Sequence, residues 1–103
     1  MTKVQIAQII FSQLGGNRMA VMTGAKNAVA IENGLQFDLP KRRGYVRDGI
    51  SRIHVILDAS DTYTVKGFKI KNYEATEIKS ESGIYCDMLV NTFEEMTGLY
   101  TYL

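Results

Sequence analysis

The chain holds one cysteine, one histidine, one proline and no tryptophan in 103 residues. A single thiol, Cys86, excludes an intramolecular disulfide framework and with it the stapled scaffolds of small secreted proteins. No apolar run approaches the roughly 18 residues that a membrane-spanning helix requires. The opening segment MTKVQIAQIIFSQLGG carries one lysine, but Gln and Ser interrupt its apolar stretch, so it lacks the pattern of a secretory signal. These absences lead to the expectation of a cytoplasmic protein with no membrane partner.

The same scarcity thins the catalytic repertoire. One thiol and one imidazole permit a single dyad, Cys86 with His54. Cys86 is expected inside a C-terminal helix among apolar neighbours, where a free cysteine behaves as a small buried hydrophobe. His54 is expected on the outward side of a strand, which places base and nucleophile on opposite sides of a sheet, out of hydrogen-bond reach. A metal fares no better. Along a strand His54 and Asp58 lie about 13 Å apart, and Asp58 and Asp61 begin a turn. Gly24-Ala25-Lys26-Asn27 lacks the earlier glycine and the hydroxyl of a phosphate-binding loop and leads into a strand, not a helix. No catalytic residue, metal ligand or cofactor is therefore expected, and the chain reads as a non-enzyme.

What is present is enough apolar content, 46%, for one domain spanning residues 1–103. Thr2 can cap a helix with Val4, Ala7, Phe11 and Leu14 at helical spacing, and Gly15-Gly16 ends it. RMAVMTGAKNAVAIENGLQFDLP then reads as three short strands bent at Thr23–Ala25 and at Asn33-Gly34. NAVAI is apolar on both faces, which favours a central strand. Ile53, Val55 and Leu57 alternate with Arg52, His54 and Asp58. In TYTVKGFKIK the apolar phase changes from odd to even, so a bulge at Gly67 is expected to turn Lys66, Lys69 and Lys71 all away from the core. YEATEI forms a last strand. Ser82 caps a helix with Tyr85, Leu89, Phe93 and Met96 along one stripe, Gly98 stops it, and LYTYL alternates as a tail docked on the sheet edge. The fold class is α+β: an antiparallel meander of five to six strands with both terminal helices on one face.

Charge is unevenly spread along the chain. Residues 40–71 carry eight Lys/Arg and three Asp, a net +5, whereas residues 72–103 carry six Asp/Glu and one Lys, a net −5. Such asymmetry bears on partners. The loop KRRGYVRDG places Lys41, Arg42, Arg43 and Arg47 beside Tyr45. With Lys66, Lys69 and Lys71 extending the surface, it suits neutralisation of nucleic-acid phosphates, and Tyr45 suits stacking. Against this stand a pI of about 7.8 and an outward face expected to lack a row of aromatics. The alternative is a protein-interaction module. It would act through the acidic helix face Asp87, Asn91, Glu94 and Glu95 and the tail tyrosines Tyr100 and Tyr102. Head-to-tail pairing of the basic and acidic thirds of different copies would make a homo-oligomer.

The blocks LGGNR (14–18), MTGAKN (22–27) and GLYT (98–101), with DTYTVKGFKIK between them, resemble an uncharacterised family of small proteins of bacteriophages, prophages and other mobile elements. The likeness spans nearly the whole chain. It implies an accessory role through host nucleic acid or a host protein, and it carries over no cofactor or functional residue.

Overall fold

A computed structural model describes residues 1–101; Tyr102 and Leu103, part of the expected tail, lie outside them. Helix α1 spans Lys3–Gln13 and opens with a capping box: the Gln5 N–H donates to Thr2 Oγ1 at 3.1 Å, and the Thr2 N–H donates to Gln5 Oε1 at 2.9 Å. Its buried stripe is Ala7, Ile10 and Leu14, while Val4 remains exposed. The expected stripe is thus rotated by about one position, with Phe11 at its flank. The glycine pair ends α1 as expected.

The segment after it departs from expectation. Asn17–Thr23 is a second helix, α2, not a strand. Gly16 turns the chain at φ 62°, Met19 and Thr23 present one buried face at i and i+4, and Gly24 closes the helix in the left-handed conformation at φ 77°. The helix has seven residues, too few for periodicity to reveal it. The bend at Thr23–Ala25 is therefore a helix end, not a hairpin.

Five antiparallel strands follow in sequential order: β1 (Lys26–Ile31), β2 (Gly34–Asp38), β3 (Arg52–Leu57), β4 (Tyr63–Lys71) and β5 (Glu74–Ile84). A meander puts its first strand at an edge whatever that strand's composition. So β1, expected to be central, is largely exposed, and a register shift between Lys26 and Val29 accompanies a positive φ at Asn27. At the other edge, Asn72 and Tyr73 both have positive φ, the geometry of a tight two-residue hairpin. That turn keeps β5 paired along the whole of β4, to Tyr63 opposite Ile84. Ser82 is consequently a strand residue and caps nothing. The chain instead reaches α3 (Leu89–Thr97) through a 3-10 turn at Cys86–Met88, and Tyr85 stays exposed outside the helix.

The register shifts in the β4–β5 pairing, one between Tyr63 and Val65 and one between Gly67 and Phe68, both put the extra residue on β5, not on β4. Gly67 pairs with Lys79 and Phe68 with Glu77, leaving Ile78 as the extra residue. Strand β4 alternates without interruption, so Val65 and Gly67 face the helices, Phe68 and Ile70 share the opposite face with Lys66, and Lys69 and Lys71 return to the helix side. Ile50 supplies the reason. It is buried over Gly67, where a β-carbon would come within 2.8 Å of its Cδ1, so a loop residue fills the space that Phe68 was expected to occupy.

Helix α1 packs on β1 and β2, and α3 packs on β4 and β5. The core lies between, with the Phe37 and Phe93 rings 5.8 Å apart at 57°. Tyr63 Oη donates to Gln13 Oε1 at 2.7 Å and ties α1 to β4. Among the described residues, no helix covers the other face of the sheet.

Candidate functional site

The loop between β2 and β3 is anchored at several points. The Leu39 N–H donates to the Ser51 carbonyl at 2.9 Å, and the Ser51 N–H to the Phe68 carbonyl at 2.8 Å. Val46 and Ile50 are buried in the core, and Tyr45 Oη donates to the Thr23 carbonyl at 3.2 Å. Between these anchors Lys41, Arg42, Arg43 and Gly44 are left exposed. Polar cations cannot follow the apolar anchors inward without losing hydration, so the loop is inevitably basic on its outer side.

That outer side borders a cleft of about 420 Å³ lined by Lys41, Arg42, Arg43, Ile50, Lys69 and Ile70, among others, and among the described residues none in its wall is acidic. Lys69 arrives there because it lies on the helix side of β4, next to Gly49. Among the described residues, none of Lys41, Arg43 and Lys69 has an ion-pair partner. The Arg42 guanidinium sits 5.5 Å from the Tyr45 ring centre. A second depression of about 370 Å³ shares Lys41, Ser51 and Ile70 with the first and adds Lys26, Asp38 and Arg52.

The eight residues that the sequence nominated are thus dispersed. Lys41, Arg42, Arg43 and Lys69 converge on the cleft. Tyr45 is half-buried, and its hydroxyl serves as a tether for the loop. Arg47 turns away from the cleft to α3, where Nη1 donates to the Glu95 carbonyl at 2.7 Å. Lys66 stands on the helix-free face, 3.5 Å from Glu77 Oε1. Lys71 is exposed beside Glu74 at the β4–β5 turn. Lys26 was not nominated; its signal lay in the β1–β2 hairpin, which sets it opposite Asp38.

The helix-free face joins the second depression. There Arg52 Nε donates to Asp38 Oδ1 at 2.8 Å, and Asn27 Nδ2 donates to Asp38 Oδ2 at 3.2 Å. Burial pushes the Asp38 carboxyl up, but the Arg52 and Asn27 hydrogen bonds and the charges of Arg52 and Lys26 outweigh it and hold the group below its ordinary value. In mid-sheet the His54 ring lies 4.5 Å from the Phe68 ring at a tilt of 53°, and Nε2 donates to Gln36 Oε1 at 2.8 Å. Burial, then the charges of Arg52 and Lys66, lower the His54 pKa below its ordinary 6.5, which favours the neutral ring.

Cys86 is exposed in the turn before α3, not buried within the helix. No group of three or more His, Cys, Asp or Glu side chains gathers to hold a metal among the described residues. Asp58 Oδ2 accepts from Thr64 Oγ1 at 2.7 Å, a turn contact. On α3, Glu94 Oε2 accepts from both the N–H and the hydroxyl of Thr101, at 2.8 and 3.2 Å. This carboxylate fastens the tail, so the acidic face is narrower than its sequence suggested.

No helix among the described residues is long and apolar enough to cross a membrane. In comparison with known proteins, the chain matches no family model, no curated protein and no solved structure.

Proposed function

We propose that this chain is a non-catalytic binding module that holds an anionic partner, nucleic acid, against its basic cleft. The observation that carries this reading is the convergence of Lys41, Arg42, Arg43 and Lys69 on a wall to which, among the described residues, no carboxylate contributes. Cations gathered in this way repel one another, and an oxyanion set among them removes that repulsion. Phosphate diesters in series supply such oxyanions and release counterions as they bind. A mobile-element accessory role, implied by the sequence resemblance, is compatible with a host nucleic acid as the target. The second reading is a protein partner on α3 and the tail. It is favoured by Tyr100, 72% exposed beside a hollow lined by Asn91, Glu95 and Gly98.

The test is a titration against short single- and double-stranded DNA and RNA at two salt concentrations, with wild type and the triple variant Lys41→Gln, Arg42→Gln, Arg43→Gln. The expected result is salt-sensitive binding that weakens in the variant. The slope of log K against log salt should flatten by about 2 units, at about 0.7–0.9 per lost phosphate contact, with Tm unchanged. Absence of binding at low salt would remove nucleic acid and move the search to host proteins.

A further inference from the structure

We infer that the helix-free face of the sheet is a stacking platform for the bases of a single-stranded nucleic acid, with Phe68 and His54 as the stacking pair. The inference rests on the reading of the basic cleft as a phosphate site and specifies the form of nucleic acid it takes.

The pair occupies the centre of the face. Phe68 on β4 pairs with Arg52 on β3 and Glu77 on β5, and His54 on β3 pairs with Gln36 on β2 and Lys66 on β4. Two adjacent central strands therefore carry half-buried rings 4.5 Å apart, flanked by amide and cationic side chains. Aromatic and imidazole rings on an open sheet can stack unpaired bases, while neighbouring amides and cations meet base edges and phosphates. The Gln36 hydrogen bond fixes the imidazole orientation, and the lowered His54 pKa keeps the ring uncharged at neutral pH.

The platform is also continuous with the cleft. Arg52 and Ile70 belong to the helix-free face and line the second depression, which shares Lys41 with the basic cleft. A strand laid along this path would place bases over Phe68 and His54 and phosphates near Arg52, Lys26 and Lys41. A duplex keeps its bases stacked inside and would meet the cations alone. A covering helix or second sheet suits the face less well. The ion pairs Arg52–Asp38 and Lys66–Glu77 and the Gln36–His54 hydrogen bond interrupt its apolar residues, and burying them dry would be costly.

The experiment compares three fluorescently labelled probes of about 12 nucleotides, within the span such surfaces cover: an oligothymidylate, a duplex, and an abasic strand with the same phosphates and no bases. Wild type is expected to bind the oligothymidylate about tenfold tighter than the abasic strand, as loss of one aromatic–base stack implies. Phe68→Leu is expected to remove most of that preference and leave abasic binding unchanged, with His54→Gln giving a smaller loss. Equal, salt-sensitive binding of wild type to the oligothymidylate and the abasic strand would overturn the platform and leave the cleft reading standing. This comparison needs no variant and so holds even if Phe68→Leu misfolds. A duplex preferred to the oligothymidylate would also overturn it. Binding to none of the probes would overturn both readings.

Discussion

Arg47 Nη1 donates a 2.7 Å hydrogen bond to the backbone carbonyl of Glu95, in the last turn of α3. The guanidinium also lies beside Gly98, the left-handed residue that ends the helix. Carbonyls at a helix C-terminus carry partial negative charge and lack intrahelical partners. A residue that reads in sequence as one of four loop cations thus closes the final helix. Arg47→Ala is expected to lower stability by about 1 kcal/mol, or about 5 °C in Tm. It should leave affinity for nucleic acid unchanged. Thermal unfolding and a binding titration on the same protein check both parts.

Gly67 is enclosed from the helix side by Ile50. Gly67→Ala is expected to destabilise by about 1–3 kcal/mol, as overpacking does in a filled core. Ile50→Val removes the Cδ1 that the new methyl would strike, so the double variant should recover part of the loss. Urea unfolding of the two single variants and the double variant measures that recovery.

Acid should act on the helix-free face in two stages. The folded His54 pKa lies below its ordinary 6.5, so the unfolded chain takes up the proton first. Stability should be intact above 6.5 and fall as the pH drops from there to the lower folded value. His54→Gln should flatten the stability curve over that window. Asp38, also lowered from its ordinary 3.8, adds stability above that value that is lost as pH falls through its folded pKa. Unfolding midpoints at a series of pH values test both stages, and a fall in stability on raising the pH through 6.5 would contradict the first.

Glu94 is expected to hold Thr101 against α3. Glu94→Ala removes the acceptor for the Thr101 N–H and hydroxyl, leaving a buried hydroxyl unsatisfied at a cost of about 1 kcal/mol. Amide exchange at Leu99 and Thr101 should rise more than exchange in β3. Equal rises would indicate global destabilisation without a local latch.

Much of the architecture was legible in the residues. The Thr2 cap, the glycine stops at 15–16 and 98, the Asn33 turn and the strict alternation of β3 each depend on side chains within a few positions of one another. An antiparallel meander of five to six strands with terminal helices on one face follows from that order of elements, and the first of those strands is in fact helix α2. The candidate site was half legible. Lys41–Arg43 belong to an exposed loop by composition alone, but the departure of Arg47 from that surface and the arrival of Lys69 and Lys26 depend on contacts far away in sequence.

What the sequence determined by itself, then, was the class of fold, the hairpin order, and a loop whose cations must remain in water. Tertiary structure decided which strand carried the extra residue. The local pattern of β4 accommodated a bulge at Gly67, but β4 can continue unbroken if something else covers that glycine, and Ile50 does so from a loop seventeen positions earlier. Because one residue of register moves every later side chain to the other face, this long-range contact goes with Phe68 lying beside His54 on the helix-free face, a pairing that the alternation of hydrophobic residues had hidden.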